Sequence, residues 1–318
     1  MRPRPTPILA VLVGLLVAPA LLSGCRPASD AAPNAPESQA DPAPALRDSV
    51  LSPPDTTAAR FEAAMTEALS HRDETESIGA LMQTIGLHFR GRPYLAGTLD
   101  QPPTETLVAR FDGFDCVTFV ETALALARSA EAADSTYAGF ARRLAEQRYR
   151  DGGPVGYCGR LHYFTEWLAN NANRGLMRRL GAELNGRPLR DTLDFMSTHR
   201  SAYDRFATND SLFACIRTME SRLQTRHQND PVRYVPQDSI RAVYDQLQAG
   251  DIVALVSPID GLDVAHTGLV YAPDDAETKG LLHASLSDGV MVSPDLQQYV
   301  QTIDRQIGMV VARPQFTR

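Results

Sequence analysis

The stretch FDGFDCVTFVETALALA, residues 111–127, places one cysteine where a polar turn gives way to an apolar run. Val117, Val120, Leu124 and Ala127 recur at i, i+3, i+7 and i+10, with Phe119, Ala123 and Leu126 beside them. That spacing predicts a helix buried on most of its sides. Asp115 suits the N-cap, which puts Cys116 in the first helical turn. A cysteine used only for packing would sit deeper in the run and be inert. In the first turn, free N–H groups and the positive end of the helix dipole favour a thiolate. The same N–H groups can receive an oxyanion when the sulfur attacks a carbonyl. Read alone, the stretch leaves two alternatives open: a nucleophile, or a small residue packed near a helix start.

Upstream, residues 57–89 read as helical. Phe61, Ala64, Met65 and Leu69 recur at helical spacing, and so do Ile78, Leu81, Met82 and Ile85. GRPYLAGTLDQPPTETL, residues 91–107, is a loop by its Gly and Pro content. Downstream the period changes. GDIVALVS (250–257), VAHTGLVYA (264–272), GLLHAS (280–285), GVMVS (289–293) and IGMVVARP (307–314) are short, β-rich and bounded by turn residues. They read as five strands in an antiparallel meander. His266 falls on the second and His283 on the third, where the two can stand side by side on one face. A lone histidine there would be a core residue bonded to backbone. Two in Gly- or Ala-flanked slots on adjacent strands are harder to dismiss.

The N-terminus reads as a leader. Arg2 and Arg4 precede an apolar segment over residues 8–22 that is too short for a comfortable membrane span. Leu22-Ser23-Gly24-Cys25 follows and resembles a bacterial lipobox, in which the cysteine becomes the acylated first residue. Residues 1–25 are therefore expected to be a lipoprotein signal peptide. Arg26 rather than Asp follows Cys25, which points to the outer membrane, facing the periplasm, as the site of anchoring. Residues 26–55, rich in Pro, Ala, Ser and Asp, are expected to be a disordered tether with an r.m.s. reach of about 30 Å. Residues 56–318 are expected to form one domain. Export permits disulfides. Cys158 with Cys215 is the pair allowed, worth ~4 kcal/mol on the chain-entropy model, and it leaves Cys116 free.

The chain has 318 residues, 43% hydrophobic and 22% charged, with a formal net charge of -7. It has no basic block, so nucleic acid is excluded as an expected partner. RLHYFTEWLANN, residues 160–171, crowds functional groups into one turn and helix. One reading is a cleft wall, with Trp167 or Tyr163 stacking on sugar or peptide and Arg160 meeting a carboxylate. Another is metal binding through Cys158, His162 and Glu166 at i, i+4 and i+8. The plainest is a helix docked by Trp167 with its polar side in water. No metal or cofactor is expected.

Five pieces occur in order: Pro93-Tyr94, Asp115-Cys116, Gly250-Asp251-Ile252-Val253, His266-Thr267-Gly268-Leu269-Val270-Tyr271 and Leu282-His283-Ala284-Ser285. Together they resemble the NlpC-type cell-wall cysteine hydrolases. FDCVTFVE and RLHYFTEWLANN resemble one branch in particular, the N-acetylmuramoyl-L-alanine amidase-like lipoproteins first described as a domain of unknown function. The resemblance implies an α+β fold: a papain-like core whose nucleophile helix packs on a C-terminal antiparallel sheet. A largely helical insertion is expected at about residues 128–248. The resemblance also implies roles. Cys116 attacks, His266 is the base, and His283 orients it. The Cys116 N–H supplies half of the oxyanion site, and Tyr94 supplies the other half or binds substrate nearby; on the cleft-wall reading above, Arg160, His162, Tyr163 and Trp167 are the residues expected to meet substrate. The expected activity is cleavage of an amide bond in peptidoglycan or muropeptides, foremost the N-acetylmuramoyl-L-alanine bond. The alternatives are a D-glutamyl-diamino acid endopeptidase, a thioester-forming acyltransferase and a non-enzymatic wall-binding lipoprotein. The chain departs from simpler members at Val117-Thr118, where they carry Ser-Gly, and in the length of the insertion.

Overall fold

The computed structural model describes residues 55–189, 192–273, 277–303 and 306–316. The expected leader, the lipobox Cys25 and nearly all of the tether lie outside the described residues. Among the described residues no helix is long and apolar enough to cross a membrane.

The expected helical stretch at 57–89 is two helices, α1 (Asp55–His71) and α2 (Ile78–His88). The break has a local cause: Ser77 turns extended and its hydroxyl accepts from Ala80 N at 3.1 Å, starting α2 afresh. α3 (Cys116–Glu131) is the helix of the opening stretch, and α4 (Tyr137–Arg148) packs beside it. The insertion adds α5 (Phe164–Asn173), the one-turn helices α6 (Phe195–Thr198) and α7 (Asp204–Ala207), and the long α8 (Asp210–Asn229). It also adds β1 (Met177–Arg179), β2 (Arg187–Pro188) and β3 (Arg233–Pro236), so it is less purely helical than expected.

The five C-terminal strands are β4 (Ile252–Val256), β5 (Val264–Tyr271), β6 (Gly280–Ser285), β7 (Gly289–Ser293) and β8 (Gly308–Pro314), with α9 (Leu296–Thr302) between the last two. β4 to β7 form the expected antiparallel meander. β8 does not continue it. It crosses back to pair with β4, giving the order β2-β3-β8-β4-β5-β6-β7, with β1 also on β8. Strand periodicity finds strands but not their neighbours, and the α9 crossover carries β8 to the other edge of the meander.

The sheet is a middle layer. Ile252, Ala254 and Val256 point to a core shared with α1 to α5, while Val253 and Leu255 point to a second core closed by α9 and by Ile240, Val243 and Tyr244. β4 is buried on both faces, which explains why its sequence is a continuous apolar run rather than an alternation. The insertion has a third core around Tyr157, Tyr163, Met196 and Phe206. The Cys158–Cys215 disulfide ties the turn at residues 157–159 to α8 across 57 residues, at a Cα separation of 5.8 Å.

Candidate active site

Cys116 is the first residue of α3 and the free cysteine among the described residues. Asp115 caps the helix: its Oδ1 accepts from Thr118 N at 2.7 Å, and Thr118 Oγ1 accepts from Asp115 N at 3.0 Å. This reciprocal capping gives Thr118 a use at a position where simpler relatives were expected to carry glycine. A parallel bridge between Tyr94 and Phe114, with Leu95 N donating to Phe114 O at 3.0 Å, lays the 93–95 segment against the cysteine turn. Gly113 permits that approach, because a Cβ there would fall 2.6 Å from Pro93 O. The Tyr94 hydroxyl thereby stands beside the sulfur and the backbone N–H of Cys116.

β5 brings the histidine. Leu255 pairs with His266 but Val256 pairs with Val264, so Ala265 bulges out of the ladder. Bulges of this kind bend a strand and re-aim its side chains beside active sites. The β5–β6 ladder ends at the pair Leu269–Leu282. Continuing that register sets His283 opposite Gly268, one diagonal step from His266. Gly268 makes the step possible, because a Cβ on it would lie 2.9 Å from His283 Cβ and 2.8 Å from Leu282 O. His266 Nε2 then meets His283 Nδ1 at 2.8 Å, and His283 Nε2 meets Ser293 Oγ on β7 at 3.1 Å. Ser293 was not singled out in the sequence. The signal that finds it is register: it pairs with Leu281, two residues before His283.

The electrostatics differ from the expected thiolate. Burial pushes the Cys116 thiol up to about 12, and the Asp115 carboxylate adds to the rise. The backbone N–H groups of Thr267, Cys116 and Val117 pull the other way without overcoming it. Burial lowers His266 to about 4, and burial with the neighbouring His266 lowers His283 to about 3. The resting pair is a neutral thiol and a neutral imidazole. The helix dipole is present but is outweighed by desolvation and by the acidic cap.

Cys116 and His266 open into one cavity of about 270 Å³, whose far side is the insertion: Tyr157, Arg160, His162, Tyr163 and Tyr203. Arg160 lines it but is occupied, with Asp100, the Leu99 carbonyl at 3.1 Å and Glu105 at 3.7 Å as partners. Tyr163 points its hydroxyl at Glu220, 2.8 Å away. His162 Nε2 meets the Tyr157 carbonyl at 2.8 Å. Trp167 needs correction. It is 1% exposed, stacked on Phe164 with ring centroids 5.0 Å apart, and no part of the lining. A tryptophan in an amphipathic helix docks the helix, so its ring cannot stack on a substrate; Tyr157, Tyr163, Phe164 and Tyr203 are the phenyl and phenol rings at the cavity. Cys158 is in the disulfide and Glu166 faces Arg150 and Arg222, so the i, i+4, i+8 spacing gathers no metal ligands.

The family model described as N-acetylmuramoyl-L-alanine amidase-like (AmiA-like) matches residues 84–309. The chain belongs to this family. No curated protein matches it. Among solved structures, an N-acetylmuramoyl-L-alanine amidase from Bacteroides uniformis ATCC 8492 is 28% identical, covers 80% of this chain and 99% of its own, and superposes with a TM-score of 0.67. A Bacteroides fragilis protein solved under a provisional xylanase assignment is 34% identical over 72% of this chain and 98% of its own, with a TM-score of 0.66. A Legionella pneumophila str. Philadelphia 1 protein matched by the family model DUF1460 is 19% identical over 82% of this chain and 99% of its own, with a TM-score of 0.58, and shares the fold. The family's matched span contains every residue of the Cys116, His266, His283 and Ser293 line.

Proposed function

We propose that the protein is a cysteine-dependent amidohydrolase of the cell envelope that cuts peptidoglycan or its fragments at the N-acetylmuramoyl-L-alanine bond. The observation that carries the reading is that Cys116 and His266 open into one cavity, with His283 and then Ser293 hydrogen-bonded in line behind His266. Family membership and the Bacteroides uniformis amidase support the bond chosen. The core is read as papain-like: a thiol at a helix N-terminus facing a histidine on the sheet. The lipobox reading of Cys25 would anchor the domain by lipid, on the outer membrane facing the periplasm.

His266 uses Nε2 to meet His283, which leaves Nδ1 for the thiol. In the productive tautomer His266 Nε2–H donates to His283 Nδ1, and His283 Nε2–H donates to Ser293 Oγ. Nδ1 is then bare. It takes the Cys116 proton as the sulfur attacks the lactyl carbonyl, so the charged pair forms during attack rather than before it. The Cys116 N–H and the Tyr94 hydroxyl face the developing oxyanion. The imidazolium returns its proton to the departing alanine nitrogen, leaving a thioester on Sγ. Water, deprotonated by His266, then hydrolyses the thioester to a carboxylate and restores the thiol.

A glycosidase reading, raised by the Bacteroides fragilis neighbour, needs two carboxylates free to act. The acids at this cavity are committed: Asp263 holds Thr165 and Val264, Asp115 caps α3 and Asp100 pairs with Arg160. Endopeptidase and acyltransferase readings share the thiol chemistry and are separated by products. The native protein and Cys116→Ala are incubated with purified muropeptides and the products weighed by mass spectrometry. Free stem peptide from the native protein alone is the expected result. A shortened muropeptide would move the cut into the stem. No product from either protein would overturn the hydrolase.

A further inference from the structure

Among the described residues no carboxylate pairs with the two histidines of the site. The described groups around them are Cys116 with Asp115 on α3, Tyr94 on its loop, Ser293 on β7 and Tyr299 on α9, and of these only Asp115 is a charged group, acting on the sulfur. Tyr299 is the member that the sequence reading passed over. Its ring centroid lies 4.7 Å from that of His283, tilted by 58°, and 6.1 Å from that of His266, tilted by 42°. The two imidazoles meet edge to face at 4.9 Å. Tyr299 is not among the residues lining the cavity, and its hydroxyl is near enough to Cys116 to feel the sulfur.

α9 holds that ring in place by several independent contacts. Leu296 and Val300 are fully buried in the second core, and Tyr299, three residues after Leu296, shares their face. Asp295 caps the helix by accepting from Gln298 N at 2.9 Å, and it also accepts from the Tyr244 hydroxyl at 3.0 Å and from Arg241. Leu296 N donates to Lys279 O at 2.8 Å, joining α9 to the start of β6. The crossover helix that redirects β8 is thus also a wall of the histidine pair.

We propose that Tyr299 is a positioning residue of the reaction: its ring, held by α9, covers the His266–His283 pair against water and so holds His266 ready as a base. The inference rests on the cysteine-hydrolase reading for its role, but its physical content concerns the imidazoles alone. Burial is the sole cause that depresses His266 and the leading one for His283. A wall that excludes water is therefore what sets their protonation. Removing it hydrates both rings and lets them take protons at higher pH. The Tyr299 hydroxyl is itself pushed up to about 12 by burial and then by Cys116, so it remains a neutral phenol at any pH of interest.

The test titrates carbon-13-labelled histidines by NMR in the full chain, with His266→Gln and His283→Gln to assign the resonances and circular dichroism to verify folding at each pH. The native protein and Tyr299→Phe are expected to keep both imidazoles neutral down to about pH 5. In Tyr299→Ala the midpoints are expected to rise by about one unit or more, a tenfold gain in proton affinity. Tyr299→Gln, which fills the space with a polar group, carries the same expectation if the alanine variant fails to fold. Unmoved midpoints in a folded Ala or Gln variant, or an equal rise in Tyr299→Phe, would overturn the proposal. No substrate enters this measurement, so it stands apart from the muropeptide assay. With substrate, the acid limb of the rate profile should move up in Tyr299→Ala while KM stays put. A lost wall that served only the fold would lower the rate at every pH alike.

Discussion

The two sides of the cavity are built by opposite rules. On the sulfur side, Cys116 meets backbone N–H groups, His266 meets His283 and His283 meets a serine hydroxyl, and among the described residues no salt bridge involves any of them. On the insertion side most functional groups are already committed, although Glu166 Oε2, Trp167 Nε1, Asn171 Oδ1 and Arg205 Nε are buried without a hydrogen-bond partner among the described residues. Arg160 holds Asp100 and Glu105, Glu166 faces two arginines, Tyr163 holds Glu220, and Asn170 donates to Asp151 at 2.8 Å. The insertion side looked richer in sequence because it has more polar residues per turn. What separates the sides is the number of partners left over. A group whose valences are spent on protein shapes the cleft, and a group with an open valence can react.

The largest expected effect lies on the sulfur side. Cys116→Ala and His266→Ala should each lower turnover by at least about 10³-fold, because removing either the attacking atom or its base disables the unit. Neither should lower the urea midpoint appreciably. A stability loss as large as that of a core truncation, with residual activity, would break the comparison.

The insertion side should answer in stability. Glu105 is shared by Arg160, by Arg205 at 3.4 Å and by the Tyr149 hydroxyl at 3.0 Å, and only 6% of its side chain is exposed. Arg160→Ala strips one cation from that buried network and frees the loop of residues 97–105. The expected cost is about 3 kcal/mol in urea unfolding, with KM raised and kcat nearly intact. Arg160→Lys should not rescue it, since one ammonium cannot reach Asp100, the Leu99 carbonyl and Glu105 together. A variant of native stability that fails only on carboxylate-bearing substrates would return Arg160 to the role of a substrate ligand.

Ser293→Ala tests the far end of the hydrogen-bonded line. His283 Nε2 loses its partner while the rest of the site stands. We expect kcat to fall about tenfold, the scale of one lost buried hydrogen bond, with KM unchanged and Ser293→Thr restoring part of the loss. An equal change in KM would make Ser293 a structural residue of β7.

Much of this was legible in the chain. The cap at Asp115, the place of Cys116 and the five C-terminal strands follow from local periodicity and turn chemistry, which act over a few residues. The meeting of His266 with His283 follows from adjacency of strands. Other features are set by tertiary pairing and leave no local trace: the bulge at Ala265, the return of β8 to β4, the pairing of Ser293 and the approach of Tyr299. The neutral resting thiol was missed for a related reason. The helix dipole can be read from the sequence, but the desolvation that outweighs it depends on what packs around the sulfur. Trp167 shows the converse error, where residue type suggested a ligand platform and amphipathic docking claimed the ring for the core.

The smallest effect cannot be seen at neutral pH. His162, on the insertion side, is lowered to about 3 by burial and then by the Arg160 cation, much as His266 and His283 are lowered on the sulfur side. Above the ordinary value of 6.5 these rings are neutral in both folded and unfolded chains and contribute nothing to pH dependence. As pH falls below 6.5 the unfolded chain takes up protons that the folded one refuses, so stability declines, and the decline ends only near the folded values. Each such ring adds a slope of up to about 1.4 kcal/mol per pH unit near pH 5. Carboxylates add slopes of their own, so the measurement is a difference: urea unfolding of the native protein and of His162→Gln at several pH values from 7 down to about 4.5. The variant should be flatter by one proton. His266→Gln should flatten the curve by the same amount, because exclusion of water is the one trait that both sides of the cavity share. A native slope in His162→Gln would mean that this ring is charged in the fold, and the symmetry between the two sides would fail there.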